Sequence, residues 1–450
     1  MARLMVGVSG IRGVYGDGLS ESIAERFAHA FGLLYPGTIV IGRDSRKSGR
    51  VIADSVISGL SHAGNTVIDL GFAATPTVEM AVTTRNASGG VIITASHNPS
   101  EWNGLKFLNA DGVFLNAAEG KKLVEEYESI GDMTHGRPRS ALTETWDGAD
   151  EAHIQAVLDL EIINTGLIST RGYTVCLDAV NGAGGKICID LLKRLGCTVH
   201  AINTEPTGDF PHGAEPVPDN IGDLCSLVRK HRADVGFAVD PDVDRLSLVS
   251  EKGKAIGEEY TLALAADYVM GKTGKPAACN LSTSRMIDDA AARHNTVVYR
   301  SAVGEINVVD VMRKHGAEIG GEGNGGVILP ALHYGRDAVL GIALILQLMV
   351  ERNESIGALA ASFPVYCIIK EKMDISGQKN WIANVKTAFA GENMDFRDGV
   401  KIIYPSSWVH VRASNTEPII RLMAEAPTER EARSLLDKVY TAISGGKSET

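Results

Sequence analysis

The sequence predicts an α/β protein built from several domains, and three observations lead to that prediction. Short apolar runs typical of strands alternate along the chain with stretches whose apolar residues recur at helical spacing. The chain has 450 residues, which at roughly 100–200 residues per domain corresponds to about three or four units. A weak internal repeat is also visible. With 44% hydrophobic and 22% charged residues, the composition excludes a largely disordered chain.

The predicted elements follow one another in the order strand, polar turn, helix, strand. The apolar runs predict strands at 38–42, 90–94, 173–177 and 235–239. The helical spacing predicts helices at 52–62, 187–195, 260–270 and 339–350. In the repeat, the strands at 38–42 and 173–177 each lead through an Asp-bearing turn and a helix to a Gly-x-Thr-Val segment. We interpret the repeat as two related domains.

The charge balance and the cysteines exclude several partners. Lys and Arg number 44 and Asp and Glu 55, a net charge of −11, so the chain lacks the broad positive field that non-specific nucleic-acid binding needs. The longest apolar run, 338–350, is too short to span a bilayer and predicts a buried helix. The six cysteines show no Cys-x-x-Cys pairing, and the first residues show no signal-peptide pattern. We therefore expect a cytoplasmic protein with free thiols and without nucleic-acid or membrane partners.

The first candidate loop carries an accessible serine. A strand-like run ends in the turn Ser96-His97-Asn98-Pro99, followed by the cation Lys106. Such a turn places Ser96 at a strand end, where α/β proteins carry functional groups. A plain turn is the alternative, because Ser and Asn-Pro are turn formers. A catalytic triad is not indicated, since Ser96 and His97 are sequence neighbours and no Gly-x-Ser-x-Gly elbow surrounds Ser96.

The second candidate loop carries three aspartates. Asp240, Asp242 and Asp244 alternate with other residues directly after the strand at 235–239. Carboxylates this close repel one another unless a divalent cation neutralises them, and Mg²⁺ is favoured because it accepts a few carboxylates plus a phosphate oxygen. An EF-hand loop and a solvated acidic turn are the alternatives. Against the EF-hand, Arg245 stands where that loop needs glycine, and strands flank the segment.

Two further loops combine short polar side chains with glycine or arginine. The Gly-rich segment 320–326 carries Glu322 and Asn324, which suits either a polyol ligand or a plain loop. The other segment is a phosphate-binding candidate or a capped turn. Its cationic, hydroxyl and amide residues are Arg412, Ser414, Asn415, Thr416 and, downstream, Arg421.

Together with the N-terminal segment 9–13, these loops resemble the motifs of the α-D-phosphohexomutase superfamily, in the same order and over essentially the whole chain. We name them by that resemblance: the phosphoserine loop (94–99), the metal loop (240–245), the sugar loop (320–326) and the phosphate loop (412–416). The resemblance implies three related mixed α/β domains and a smaller α+β C-terminal domain, in a monomer or homodimer. We place the four domains at 1–148, 149–250, 251–364 and 365–450.

The resemblance also implies an activity. Such an enzyme interconverts hexose 1-phosphate and hexose 6-phosphate through a phosphoserine and a hexose 1,6-bisphosphate, which serves as activator. Ser96 would carry the phosphoryl group and hold one Mg²⁺ together with Asp240, Asp242 and Asp244. The residues implied to neutralise charge during transfer are Arg12, Lys106 and Arg245. The residues implied to bind substrate are Glu322 and Asn324 at the sugar hydroxyls, and Arg412, Ser414, Asn415, Thr416 and Arg421 at the phosphate that is not transferred.

Departures from the family pattern leave the general base and the sugar open. Asn324 and Gly326 stand where the family's sugar loop often has Ser and His. The remaining candidates for the general base are His97 and Lys106, and those for replacing the missing histidine are His333, Arg336 and Asp337. The sequence does not choose among glucose, mannose and glucosamine phosphates. A serine-dependent sugar phosphatase or hydrolase and a catalytically silent phosphosugar-binding homologue are the alternative functions.

Overall fold

Four β-sheets, each with its own helices, make up the described part of the molecule. The computed structural model describes residues 4–8, 10–131, 142–374, 380–413 and 419–444. The first three sheets mix parallel and antiparallel strands, and the fourth is antiparallel. The predicted fold class, three related α/β domains and a smaller C-terminal α+β domain, is confirmed.

The first sheet has eight strands and carries helices on both faces. Its elements are β1 (Met5–Gly7), β2 (Gly10–Tyr15), β3 (Gly18–Leu19), α1 (Glu21–Leu34), β4 (Thr38–Arg43), α2 (Gly49–Ala63), β5 (Thr66–Phe72), α3 (Thr75–Thr84), β6 (Gly89–Ile93), β7 (Trp102–Leu108), α4 (Ala117–Ser129) and β8 (Thr143–Thr145). The strand order is β1-β2-β7-β6-β4-β5-β8, with β3 beside β2. Successive residues of β4 point to opposite faces. Ile39 and Ile41 therefore pack with α1 and α2, whereas Val40 packs with α3.

The second and third sheets have four strands each. The second unit contains α5 (Ala149–Leu158), α6 (Thr165–Arg171), β9 (Thr174–Asp178), α7 (Gly184–Arg194), β10 (Thr198–Ile202), α8 (Gly222–His231), β11 (Val235–Val239) and β12 (Leu246–Ser250). The third contains α9 (Glu259–Thr273), β13 (Ala277–Asn280), α10 (Met286–Arg293), β14 (Val298–Ser301), α11 (Glu305–His315), β15 (Ile319–Glu322), β16 (Gly326–Ile328), α12 (Ala338–Arg352) and α13 (Ile356–Ala361). A short 3₁₀ turn, Pro218–Asn220, precedes α8.

One strand pattern recurs in the first three sheets. The series β5-β4-β6-β7, β10-β9-β11-β12 and β14-β13-β15-β16 each place three parallel strands beside one antiparallel strand. The repeat predicted for two domains therefore extends to a third. Consequently the loops after β6, β11 and β15 occupy equivalent positions in their sheets.

Helices α9 and α12 belong to a core shared by the second and third sheets. Every residue from Ala338 to Met349 is buried, as expected for a helix that is apolar on all sides. The buried helix predicted from the apolar run at 338–350 is thus confirmed. Among the described residues, no helix is long and apolar enough to cross a membrane.

The fourth sheet has a separate core and contacts the third unit through polar groups. Its elements are β17 (Cys367–Asp374), α14 (Trp381–Ala388), β18 (Asn393–Asp395), β19 (Val400–Ile403), β20 (Trp408–Ala413), β21 (Ile419–Ala426) and α15 (Glu429–Ile443), with strand order β17-β21-β20-β19-β18. His410 Nδ1 lies 2.9 Å from Ser282 Oγ, and the Arg285 N–H donates to Glu425 Oε1 at 3.0 Å. These contacts hold the fourth unit over the strand ends of the third.

Candidate active site

Residues from all four units line one cleft of about 640 Å³. The phosphoserine, metal and sugar loops follow the equivalent strands β6, β11 and β15, which is why they converge. The predicted site residues that line the cleft are Arg12, Ser96, His97, Lys106, Arg245, Glu322, Asn324, Arg412 and Arg421. The predicted residues Ser414, Asn415 and Thr416, and Ser9 of the N-terminal motif, lie outside the described residues.

Ser96 lies at a tight bend that directs its hydroxyl towards the metal loop. Its φ of 51° is in the left-handed region, which non-glycine residues adopt at a cost and often at functional sites. The Ser96 N–H donates to Thr94 Oγ1 at 2.8 Å, which fixes the bend. The Ser96 hydroxyl donates to Asp240 Oδ2 at 3.3 Å, and His97 Nδ1 lies 3.3 Å from the same oxygen of Ser96.

Arg46 donates hydrogen bonds to the backbone of this bend, and its role was not predicted from the sequence. Its buried guanidinium donates to the carbonyl oxygens of Ser96 at 2.6 Å and Asn98 at 2.7 Å, and to two further carbonyls of the same loop region. Asp44 accepts from Arg46 Nε at 2.9 Å and from the Thr94 hydroxyl at 2.7 Å. The sequence signal for this pair is the Asp-bearing turn after the strand at 38–42, in which Asp44 stands two residues before Arg46.

The three aspartates of the metal loop form a buried cluster. Asp240, Asp242 and Asp244 have no exposed surface, and one carboxylate oxygen from each lies within 4.8 Å of the others. Among the described residues, Asp242 Oδ1 and Asp244 Oδ1 have no hydrogen-bond partner. Buried carboxylate oxygens without partners are costly unless a cation binds them. The donor set therefore fits a hard divalent cation such as Mg²⁺.

The protonation of this cluster reflects crowding of like charges. Burial and the neighbouring carboxylates of Asp244 and Asp242 raise the pKa of Asp240 well above its usual value. Burial also acts to raise the pKa of Asp242, but Lys106 and the Thr75 hydroxyl outweigh it and hold the pKa below the usual range. Thr75 Oγ1 donates to Asp242 Oδ2 at 2.8 Å and so ties the first unit to the metal loop.

Three cations surround the serine and the aspartates. Lys106 Nζ lies 2.7 Å from Asp242 Oδ2. Burial acts to lower the pKa of Lys106, but the carboxylates of Asp242 and Asp244 outweigh it and raise that pKa. Arg245 Nη1 donates to Glu215 Oε1 at 2.6 Å, and Arg12 Nη1 donates to Asn98 Oδ1 at 3.2 Å.

His97 lies among these cations and is held neutral. Burial and the positive charges of Arg245 and Arg12 lower the pKa of His97 well below its usual value. At neutral pH, Lys106 is therefore charged and the His97 ring is neutral.

The sugar loop presents Glu322 at the wall of the cleft. Glu322 Oε1 accepts from Asn280 Nδ2 at 2.7 Å and from the Gly304 N–H at 3.2 Å, and Asn324 Nδ2 donates to Glu322 Oε2 at 3.4 Å. Burial acts against ionisation, but Arg336 and Asn280 outweigh it and lower the pKa of Glu322. Glu322 is thus an ionised acceptor facing the cleft.

Two buried charged residues behind the sugar loop also line the cleft. Arg336 Nε donates to Glu305 Oε2 at 2.7 Å. Burial and the nearby Glu79 raise the pKa of Glu305 to about 8. Sequence reasoning named Arg336 but missed Glu305. His333 and Asp337 lie behind this wall, in a separate buried network.

The fourth unit contributes two arginines from paired strands. Arg412 of β20 and Arg421 of β21 are direct register partners, so both reach the same side of the cleft. Arg412 Nε donates to Asp398 Oδ2 at 2.9 Å. The two guanidinium groups make this part of the cleft positively charged.

Comparison with known proteins identifies the family. Models described as phosphoglucomutase/phosphomannomutase alpha/beta/alpha domains I, II and III match residues 3–133, 151–253 and 257–366, and the model of the C-terminal domain matches 365–442. The chain belongs to the phosphoglucomutase/phosphomannomutase family. The predicted membership of the α-D-phosphohexomutase superfamily is thereby confirmed.

Individual members of the family resemble the chain over almost all of its length. A phosphoglucomutase/phosphomannomutase of Thermococcus kodakarensis is 35% identical over 444 residues, covering 96% of this chain and 97% of that protein. A probable phosphoglucosamine mutase of Methanopyrus kandleri is 33% identical over 453 residues, with 97% of each chain covered. A crystal structure of a phosphoglucomutase/phosphomannomutase family protein from Burkholderia thailandensis superposes with a TM-score of 0.87 at 25% identity, covering 99% of this chain and 98% of that one. The chain is accordingly an isomerase of the phosphohexomutase type, as predicted.

Proposed function

We propose that this phosphohexomutase interconverts hexose 1-phosphates and hexose 6-phosphates through phospho-Ser96 and a hexose 1,6-bisphosphate. The observation that carries the proposal is the Ser96 hydroxyl, held 3.3 Å from Asp240 of the buried aspartate cluster. A serine at that place can carry a phosphate against a cation held by the same cluster. The cleft in front of it is large enough for a sugar phosphate.

The aspartate cluster suits a resident Mg²⁺. Asp240, Asp242, Asp244 and the phosphate on Ser96 would hold the ion, which supplies neutralisation of charge on the phosphoryl group during transfer. Among the described residues, one oxygen each of Asp242 and Asp244 has no hydrogen bond, which supports this assignment.

In the first transfer the bond between Ser96 Oγ and phosphorus breaks while a bond forms between phosphorus and a sugar hydroxyl oxygen. In the return transfer the sugar's other phosphate ester bond breaks and the Ser96 ester forms again. The proton of the sugar hydroxyl passes to a base in the cleft, and that base returns a proton to the departing Ser96 Oγ. In the return transfer the Ser96 hydroxyl gives up its proton and the freed sugar oxygen takes one. His97 is a better candidate than Lys106, because its ring is neutral and lies 3.3 Å from Ser96 Oγ, whereas Lys106 is charged and paired with Asp242. Arg12, Lys106 and Arg245 then stabilise the transferred group by their charge.

The remaining residues hold the rest of the sugar phosphate. The arginine pair Arg412 and Arg421 lines the same cleft as Ser96, and with Ser414, Asn415 and Thr416 it would bind the phosphate that is not being transferred. Glu322 and Asn324 would hydrogen-bond to hydroxyls of the sugar in either orientation of the substrate. The bisphosphate can thus turn over in the cleft and return its other phosphate to Ser96, which also accounts for its role as activator.

Relatives bear the names of phosphoglucomutase/phosphomannomutase and of phosphoglucosamine mutase. We therefore propose glucose, mannose or glucosamine phosphates as substrates. The six cysteines are free thiols, which supports a cytoplasmic location for the enzyme because that compartment is reducing.

The decisive experiment combines a coupled assay with intact-mass analysis. The three sugar 1-phosphates are tested with Mg²⁺ and a catalytic amount of 1,6-bisphosphate, and the protein mass is compared before and after the bisphosphate is added. The wild type should form a 6-phosphate and gain the mass of one phosphoryl group. Ser96→Ala should lose both properties, whereas Ser100→Ala, an exposed serine of the same segment, should keep them. Full mutase activity in Ser96→Ala would falsify the proposal, net phosphate release would indicate a phosphatase, and binding without product would indicate a silent homologue.

A further inference from the structure

Arg336 joins three carboxylates that belong to three separate segments. Its Nη2 donates to Asp244 Oδ2 of the metal loop at 2.6 Å, and its Nε donates to Glu305 Oε2 at 2.7 Å. Its Nη1 lies 2.9 Å from Glu322 Oε2 of the sugar loop. One guanidinium therefore bridges a candidate metal ligand and a candidate sugar ligand. Its rigid, planar fork suits several simultaneous carboxylate contacts better than a lysine would.

The backbone that carries Arg336 is itself fixed. The Asp337 N–H donates to the Val327 carbonyl at 2.9 Å, and the Ala338 N–H donates to the Val243 carbonyl of the metal loop at 3.1 Å. Arg336 is also nearly buried, at 7% exposed. The guanidinium is consequently held from its backbone as well as by its partners.

Gly326 makes room for this side chain. A Cβ at Gly326 would lie 2.2 Å from Arg336 Cδ and 2.8 Å from Cγ. Gly326 is not among the described glycines with positive φ, so the backbone there does not itself require glycine. Glycine is required by the neighbouring side chain, because the methylene groups of Arg336 cannot move aside while its guanidinium is held by three carboxylates.

The bridge determines which oxygens remain for ligands. Asp244 Oδ2 is engaged by Arg336, and Asp244 Oδ1 has no hydrogen-bond partner among the described residues. Glu322 is held by Asn280 and Gly304 on Oε1 and by Arg336 on Oε2. Among the contacts of these two carboxylates, the Arg336 guanidinium is shared by both and so links their positions.

We propose that Arg336 is a positioning residue that fixes Asp244 and Glu322 in one frame, and that Gly326 is glycine because Arg336 occupies the adjacent space. The distance and orientation between a cation bound at the metal loop and a sugar bound at the sugar loop would then be fixed. The inference rests on the proposed function for the roles of Asp244 and Glu322. The bridge itself is a matter of geometry.

A double-mutant cycle with Gly326→Ala, Arg336→Ala and the double variant tests the proposal. Mn²⁺ serves as the probe, and its dissociation constant is obtained from the electron paramagnetic resonance signal of the free ion; kcat and KM are measured alongside. Each single variant should weaken Mn²⁺ binding by about 10-fold or more, as removal of an outer partner of a metal ligand does, and should lower kcat. The double variant should be no worse than Arg336→Ala, since the clash disappears with the side chain.

Three further proteins make the outcome decisive. Arg336→Lys keeps the charge but not the fork, and should restore only part of the Mn²⁺ affinity. Gly222→Ala, at a glycine with no described heavy atom within 4 Å of an added Cβ, and Arg313→Ala, in an exposed pair with Asp111, should match the wild type.

Unchanged Mn²⁺ affinity in Gly326→Ala or Arg336→Ala, or independent effects that simply add, overturns the proposal. If the wild type has no mutase activity the proposed function fails, while the Mn²⁺ cycle still decides the role of Arg336. If Arg336→Ala does not fold, Gly326→Ala and Arg336→Lys carry the test.

Discussion

Arg46 is a buried cation whose guanidinium fixes the backbone that carries Ser96. Its contacts to the carbonyls of Ser96 and Asn98 place positive charge beneath the bend, and its ion pair with Asp44 has no exposed side-chain surface on either partner. A buried ion pair adds little to the free energy of unfolding when compared with an apolar pair of similar size. Removing one partner, however, leaves an uncompensated buried charge and is strongly destabilising. The left-handed conformation of Ser96 thus depends on a residue that does not face the cleft.

Replacement of Arg46 should therefore destabilise the first unit. We expect Arg46→Met to lower the free energy of unfolding by about 3–5 kcal/mol, because Asp44 is left buried without its charged partner. Urea denaturation followed by circular dichroism measures the change. The matched control is Arg50→Met, whose ion pair with Asp54 is exposed and should contribute less than about 1 kcal/mol. Equal stability of the two variants would contradict the role assigned to Arg46.

At the scale of elements, helices α1 and α2 approach closely at Gly59. A Cβ at Gly59 of α2 would lie 2.1 Å from the Glu25 carbonyl oxygen and 2.9 Å from the His29 amide nitrogen of α1. Both neighbours are backbone atoms of a helix, so neither can rotate away. The two helices pack on the face of the first sheet that carries Ile39 and Ile41.

Gly59→Ala should force α1 and α2 apart. We expect a loss of about 1–3 kcal/mol in the free energy of unfolding, which is typical of an overpacked core. Gly166→Ala in α6 is the control, since its Cβ would meet one described atom, Asn164 Oδ1, at an ordinary 3.5 Å. That control should be unchanged or stabilised by less than about 1 kcal/mol, because alanine favours the helix. Differential scanning calorimetry compares them, and a Gly59→Ala protein as stable as wild type would argue against the close contact.

At the scale of the whole molecule, the sequence predicted the fold class and most of the cleft. The alternation of strands and helices predicted the α/β class, and the family resemblance of the motifs implied the four units and a common site for Ser96, the aspartates and Glu322. The convergence has a simple reason, because the three loops follow equivalent strands of a repeated sheet. The predicted boundaries at 148, 250 and 364 stay predictions.

Other features could not be predicted, because their partners are remote in sequence. Arg46 contacts carbonyls about 50 residues away, and Arg336 contacts Asp244, 92 residues away. A charged residue after a strand is usually exposed, so composition gives no sign of such burial. The reason for Gly326 likewise depends on a side chain of another segment and is visible only in three dimensions.

A buried network around Asp337 joins three units of the molecule. Asp337 Oδ1 accepts from the N–H groups of Val339 and Leu340 and so caps α12. Asp337 Oδ2 lies 2.8 Å from His153 Nε2 and 3.2 Å from His333 Nε2. His153 Nδ1 in turn lies 2.9 Å from the Thr77 hydroxyl of the first unit. The carboxylate therefore links elements that otherwise belong to separate sheets.

Asp337→Asn should cost stability at neutral pH and progressively less in acid. Burial acts to raise the pKa of Asp337, but His153 and His333 outweigh it and hold the pKa below its usual range. A depressed folded pKa gives stability that is fully present above the unfolded value, about 4, and is lost as the pH falls through the folded value. We expect a loss of roughly 3–5 kcal/mol at pH 7 from breaking the network, with the difference from wild type shrinking below about pH 4. Urea denaturation at several pH values measures it, with Asp223→Asn, an exposed aspartate in the first turn of α8, as control. A difference independent of pH would show that the charge of Asp337 does not link the units.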